Sequence, residues 1–543
     1  MDKGVFKGNS IDHVATYLFV FIFYAYLISI SLPNIYNVDQ YFQRFEVTKS
    51  IVEIYDLSIP EGSNGIKGID GRTYSLYGLW WSLLAVPFYA VGKIIGRSPE
   101  ILVSMLNPLA GAATVTLVFY FAIALGYSRR SSLVVAIFYG LGTFAWPMAK
   151  QPFDHIVETL FVLLAIYFMY LHLVKKTHKE LVISALCLGV AVNTRLSSIL
   201  AVPALLFMMG TDCGGHARFP RSGMLFIRKM AIFTASLTPF AFLLLWYNYY
   251  RFGSIFETGF QLLASRTGLD FFSGTPLLTG LRGFITSPGK GFFYYSPIAL
   301  FFFFSFISFY KKHPRLATTF VLLVISYIFF LSKNIYWHGD WAWGPRYLLP
   351  ITPFLIIPIA ALLDSDAWLT NKLALTALVY SVFLLSLAIQ FAAVSVHYYN
   401  YFLRLRMDKT VSISSIGGIG VPTIYEPPQD MYFDWKRSPI LAQFNFIYEI
   451  GTRLNNNKFN QKNEIKLEEK RLNAGLPQNN EVGYTLIHRN FEETERLTPF
   501  WVYDYWWFYL YILYSNIAGF VVVFILLVIC AFNCSQMFKL SRR

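Results

Sequence analysis

The sequence predicts an all-α polytopic membrane protein: about 12 transmembrane helices, with further helices lying on one membrane face. Three observations predict it. Hydrophobic residues make up 55% of the 543-residue chain and charged residues 14%, against about 25% charged in soluble domains. Several apolar runs reach the ~20 residues that a bilayer crossing requires, among them 14–32, 373–394 and 507–532. Finally, clustered Lys and Arg fall in short loops on one side of these runs. The acidic and aromatic-rich stretches 34–46, 287–297 and 337–350 fall on the other.

The elements follow in order. Lys3 and Lys7 precede span 1, 14–34, which has no small-residue cleavage site nearby and reads as an uncleaved first span. The polar stretch 35–78 begins with VDQYFQRFEV, which has the pattern of a short amphipathic helix on the membrane surface. Segment 79–96 is apolar but carries Pro87 and flanking aromatics. If it crossed, every later basic loop would be inverted, so it is assigned to the interface as a juxtamembrane helix. The remaining spans are 101–125, 131–149, 155–174, 181–194, 197–210, 229–249, 293–310, 316–335, 347–364, 373–397 and 507–532. The pair 181–194 and 197–210 is too short to cross upright and reads as a broken helix whose turn carries Arg195. Three regions result: a membrane core over 1–398 with its first outer loop at 35–100, a polar outer segment over 399–506, and a last helix with a basic tail over 507–543. Both termini and Arg129, Arg130, Lys175, Lys176, Lys311 and Lys312 are placed inside.

The net charge of +14 belongs to this asymmetry rather than to a nucleic-acid partner. The four cysteines form neither a disulfide framework nor a metal spacing. The long polar loops hold no obvious Asn-x-Ser/Thr acceptor, which favours a prokaryotic source. There is no phosphate-binding glycine loop and no strand-flanked GxGxxG. A cytosolic nucleotide-sugar could not reach a cavity on the outer face, so any sugar donor would arrive as a lipid.

Candidate chemistry gathers on that face. Asp39, shortly after span 1, is either a hydrated loop charge or a general base in a partly desolvated pocket with Tyr74 and Tyr77. Asp154 opens a span beside His155, as helix N-cap or as a second acid. Arg195 lies between apolar runs, where an arginine demands a partner: an anionic lipid headgroup or a structural carboxylate. Arg346 and Lys290 are further cations that could bind the same lipid phosphate, Lys290 with the N–H groups freed by its Gly neighbours, and interfacial snorkelling is the plain alternative for Arg346. Trp337 and Trp343, with His338 and Asp340, could contact a sugar; an interfacial aromatic belt is the commoner use of Trp. No acidic cluster demands a metal, and no other cofactor is indicated.

The ordered set of an Asp after span 1, DGRTYSLYG, LLAVPFYAVGK, TFAWPMAKQPF, NTR, NYYRFGSIFETGF, SPGKGFFYYSP and WHGDWAWGPRYLLPITPFL resembles the GT-C superfamily of membrane glycosyltransferases. It is most similar to the prokaryotic branch related to protein mannosyltransferases and lipid A aminoarabinose transferases, over residues 10–400. The resemblance implies a GT-C-like fold in a cytoplasmic membrane, a polyprenyl-phosphate sugar donor, an acceptor on the outer face, and inversion at the anomeric carbon. It makes Asp39 the base and Asp154 the second acid. Arg195 and Arg346 then hold the donor phosphate. The acceptor is a glycan, lipid or protein; the absence of His-Pro-Pro-Leu, replaced by YSLYGLWWSL, speaks against a protein hydroxyl. A glycan polymerase or ligase with a lipid-diphosphate donor and a lipid or solute transporter are the rival functions. A transporter predicts internal repeats and ionisable groups at the midplane, whereas no repeat is evident and the candidate charges lie near one face.

Overall fold

The computed structural model describes residues 8–30, 39–96, 99–151, 153–210, 223–271, 273–339, 342–365, 372–395, 398, 401, 414–418, 421–426, 429–455 and 516–541. Among them, eight helices are long and apolar enough to cross a membrane: Ser10–Ile28, Pro99–Ala124, His155–Lys175, Gly223–Phe252, Pro314–Leu331, Arg346–Leu363, Leu373–Ser395 and Val521–Ser541. The other four runs, 131–149, 181–194, 197–210 and 293–310, form shorter or interrupted helices. Run 131–149 breaks where Thr143 turns extended, φ −123°. Run 293–310 breaks at Ser296, φ −144°, just before Pro297. The helix His178–Thr194 ends at Arg195, φ −145° and ψ 126°, and the chain continues as a 3-10 turn over Leu196–Ala201.

Eight helices and three short strands frame the site. Helix α1 is Gly8–Ile28, and α2 is Asp39–Glu53. Three two-residue strands follow, β1 Ser58–Ile59, β2 Ile66–Lys67 and β3 Thr73–Tyr74. They form an antiparallel sheet in the order β1-β3-β2, with Ser58 and Ile66 both opposite Tyr74. Helix α3, Trp80–Ile95, buries Trp81, Ser82, Ala85, Tyr89 and Gly92 along one stripe, the spacing of an amphipathic helix. It stops at Gly96, whose left-handed φ of 68° lets its N–H reach back to Gly92 and Lys93 carbonyls. Helix α3 packs on α2 and on the short helix Pro99–Val103. Helices α4 (His155–Lys175) and α5 (His178–Thr194) form a tight antiparallel pair, and α6 (Gly223–Phe252) packs on α5. Helix α7 is Pro314–Leu331. The last helix, α8 (Asn516–Ser541), lies along α1, with Leu526 against Leu27 and Ile30 and Phe532 against Tyr17.

The two ends of the bundle differ. At one, basic loops meet: Lys312 donates to the Gly126 carbonyl, and Asp364 accepts from the Ser128 N–H and hydroxyl. At the other, Trp81 Nε1 donates to Asn107 Oδ1 at 3.1 Å, and Asn107 Nδ2 donates to the Gln151 and Phe153 carbonyls, 2.7 Å each. This seat fixes the start of α4.

The polar segment 399–506 is not wholly detached from the core. It contains an antiparallel hairpin, Ser414–Gly418 with Val421–Glu426, and a helix over Pro439–Asn455. Its residues 429–438 are tied down: the Tyr432 carbonyl accepts from Gly289 N–H and the Ser287 hydroxyl, and Ser438 donates to the Pro288 carbonyl.

Candidate functional site

At the seated end, the start of α4 meets α2, the break after α5, and the turn that begins at Arg346. Four side chains interlock there. Arg44 of α2 pairs with Asp154 at 2.6 Å, Nη2 to Oδ2. Arg195 reaches the other oxygen of Asp154 through Nη1 at 3.1 Å and lies 3.2 Å from Glu158 Oε2 through Nε. Glu158 also accepts from Ser197 and Ser198, at 2.9 and 3.0 Å. Arg44, Asp154 and Glu158 are buried; Arg195, 18% exposed, is the member that solvent reaches.

The backbone explains the convergence. Asp154 and Glu158 are four residues apart on α4, so both carboxylates lie on one face. Arg195 sits where α5 has stopped, and its extended backbone turns the side chain across that face. Asp154 stands at the N-cap position of α4 but makes no side-chain capping bond; its carboxylate is taken up by the ion pairs. Burial would raise the Asp154 carboxyl; Arg44 and Arg195 outweigh it and hold it well below the ordinary carboxylate range.

Aromatic rings complete the cluster. The Tyr77 ring lies 4.3 Å from the Arg44 guanidinium carbon. Arg346 lies 4.6 Å from the Phe153 ring centre and 5.0 Å from that of Tyr347, and Arg195 lies 5.3 Å from Tyr347. His155 stacks obliquely on Tyr347, with its Nδ1 3.3 Å from Asp154 Oδ1. Arg346 is 2% exposed. Among the described residues it pairs with no carboxylate, its one hydrogen bond goes to the Tyr347 hydroxyl, and its Nε has no partner. Three guanidinium groups thus face two carboxylates, close enough for Arg195 and Arg346 to repel Arg44. The excess positive charge suits an anion.

The remaining candidates lie apart from these ion pairs. Lys290 is buried, donates to the Ala342 carbonyl at 2.6 Å, and lies 5.4 Å from the Tyr432 ring centre. His338 stacks on Tyr432 at 4.5 Å. Trp337 packs between Phe284, Tyr432 and Phe433, and Trp343 between Tyr295 and Tyr398. Both indoles are at most 1% exposed, and their N–H groups find no acceptor among the described residues. They sit inside protein rather than in an interfacial belt. Tyr74 belongs to the small sheet and donates to Asp70 at 2.8 Å. Asp39 opens α2, five residues before Arg44; its side chain, like the whole of Asp340, lies outside the described residues. Among the described residues no cluster of His, Cys, Asp or Glu could hold a metal.

Sequence reasoning passed over Arg44 and Glu158. Arg44 looks like a solvated charge on a surface helix. Glu158 had a usable signal: it is an ionisable residue inside an apolar run, four positions after an acid.

No protein-family model and no curated protein matches this sequence. Solved structures similar to it include ArnT from Cupriavidus metallidurans bound to undecaprenyl phosphate, at 15% identity over 74% of this chain and 71% of that one, TM-score 0.41. The archaeal oligosaccharyltransferase AglB from Archaeoglobus fulgidus, in complex with an inhibitory peptide and a dolichol-phosphate, is similar at 12% identity over 74% of this chain, TM-score 0.49. This chain spans 58% of the length of that oligosaccharyltransferase.

Proposed function

We propose that this protein is an integral-membrane glycosyltransferase of the GT-C type. It moves a sugar from a polyprenyl-phosphate donor to an acceptor on the outer face of a prokaryotic cytoplasmic membrane. The observation that carries this reading is the buried excess of guanidinium groups, with Arg346 unmatched by a carboxylate among the described residues. A lipid phosphate is an anion that arrives at that depth, and the ordered GT-C-like motifs supply the sugar.

In this mechanism Asp39 takes the proton of an acceptor hydroxyl as that oxygen attacks C1 of the sugar from the side opposite the phosphate. The new C1–O bond forms as the bond from C1 to the phosphate oxygen breaks, with inversion. The polyprenyl phosphate leaves with the bonding electrons, and Arg195 and Arg346 stabilise the charge it gains. Prepositioned cations in a water-poor site act strongly on such a charge. Asp154 and Glu158 hold Arg195 and, with Arg44, keep the cluster assembled. Tyr77 and His155 line the same region.

The test is incubation of purified protein with a panel of polyprenyl-monophosphate sugars, reading release of free polyprenyl phosphate. Release that is lost in Asp39→Asn and Arg195→Ala is the expected outcome. Wild-type rates in both variants at normal abundance would sink the site assignment. Turnover of a lipid-diphosphate glycan alone would replace the reading with a polymerase or ligase.

A further inference from the structure

Arg251, in the last turn of α6, is 3% exposed and, among the described residues, pairs with no carboxylate. A buried arginine without a counter-charge is costly unless its donors are used fully. Arg251 uses three. Nη1 donates to the Ser75 carbonyl at 2.6 Å, Nε to the Tyr247 carbonyl at 3.1 Å, and Nη2 to Asn248 Oδ1 at 3.0 Å. Its guanidinium carbon lies 3.6 Å from the Tyr247 ring centre. Its own carbonyl accepts from the Ile69 N–H. Side chain and main chain therefore both fasten the 58–78 segment to the end of α6.

The strip so fastened, Ser75–Leu76–Tyr77–Gly78, touches Arg44 and the backbone just before Arg195, the two arginines that grip Asp154. The Leu76 N–H donates to Gln43 Oε1 at 2.9 Å, beside Arg44 in α2. Tyr77 stacks on Arg44 itself. Gly78 lies against the end of α5: an added Cβ would come within 2.3 Å of the Asn193 carbonyl oxygen and 2.7 Å of that of Thr194, the residue before Arg195. Residues 75–78 thus bridge α6, α2 and the α5 break, and Arg251 holds the α6 side.

We propose that Arg251 is a positioning residue that sets Arg44 and Arg195 through residues 75–78. The effect on turnover rests on the glycosyltransferase reading; the effect on the strip does not. Two measurements on the full-length protein in detergent separate them. The first is backbone hydrogen exchange over 73–79. Arg251→Met, which keeps bulk but removes every donor, raises exchange there while the melting temperature and exchange in α4 away from the site stay near wild type. Arg251→Lys, which keeps the charge and one reach, falls between. Unchanged exchange over 73–79 in Arg251→Met overturns the proposal, and if that variant does not fold, Arg251→Lys carries the same test.

The second is a double-mutant cycle on polyprenyl-phosphate release. Arg251→Met and Tyr77→Ala each lower kcat/KM by about tenfold, and the double variant is no worse than the weaker single, because coupled sites are non-additive. Losses that multiply would overturn the proposal. Raised exchange over 73–79 with no release from any donor in wild type would leave the positioning role standing and sink the enzymatic reading.

Discussion

Two buried cationic regions of this protein meet different partners among the described residues. Around Asp154, arginines meet carboxylates: Arg44 and Arg195 share one Asp, Glu158 takes the other edge of Arg195, and Arg346 adds a third guanidinium. Around Lys290, among the described residues, an ammonium meets the Ala342 carbonyl and lies 5.4 and 5.9 Å from the Tyr432 and Tyr398 ring centres, with His338 stacked on Tyr432. The first region has a member open to solvent and a guanidinium with donors to spare. The second is sealed by the strip 429–438. A buried cation therefore needs an acceptor, and the sequence does not say which kind: a carboxylate, a neutral carbonyl or a ligand.

Asp154 is the carboxylate on which two of the arginines depend. Asp154→Asn leaves three guanidinium groups facing Glu158 alone. Breaking a buried pair costs about 3–5 kcal/mol, so this variant is expected to lose much of its thermal stability and all sugar transfer. Retained stability in a detergent melt would show that the ion pairs do not hold the site together.

The next contrast sets Arg346→Met against Lys290→Met. Arg346→Met orphans no carboxylate among the described residues, so melting should change little, while polyprenyl-phosphate release falls about 10²–10³-fold if it holds the departing phosphate. Lys290→Met removes the donor to the Ala342 carbonyl and should cost about 1–3 kcal/mol of stability, with turnover of the folded fraction largely kept. The reverse pattern would move the phosphate site to Lys290.

A packing test sharpens the sealed region. Gly283 lies against Trp337 so closely that an added Cβ would come within 2.1 Å of the ring. Gly283→Ala should destabilise by about 1–3 kcal/mol, the range for overpacking, read as a lowered melting temperature with the donor KM unchanged.

The smallest expected effect is a pH dependence outside both regions. Burial raises the Asp56 carboxyl, but hydrogen bonds from Ser58, the Leu57 N–H and Tyr250, with the Arg72 charge, bring it down from 3.8 to about 2. A carboxylate depressed in the folded state contributes stability above its unfolded pKa, and loses it as pH falls through the folded one. The 58–78 segment should thus loosen between roughly pH 4 and pH 2, read by hydrogen exchange. Asp56→Asn should remove that dependence; an unchanged acid profile would remove Asp56 as its source.

Much of the architecture was legible because hydropathy acts locally. The first span, a separate helix within 79–96 and the break at Arg195 each followed from runs of apolar residues and the residues that interrupt them. The interruption at Thr143 was not, because nothing in GLGTFAWP stops hydropathy there. At the site, Asp154 and Arg195 stood out as charges beside apolar runs, and the plain alternative for Arg195, a structural Arg–Asp pair, is present. Arg44 did not stand out, because a charge on a surface helix looks solvated until another helix covers it.

By itself, then, the sequence determined the solvent of this protein, the segments that enter it, and the charges that need an explanation once there. These depend on composition and on periods of a few residues. Tertiary structure decided which charges meet. Arg44 and Asp154 are 110 positions apart, and Lys290 and Ala342 are 52 apart. Such pairings depend on how helices seat against one another: the Asn107 latch, the Gly78 contact and the Arg251 anchor each set a distance that no local pattern encodes.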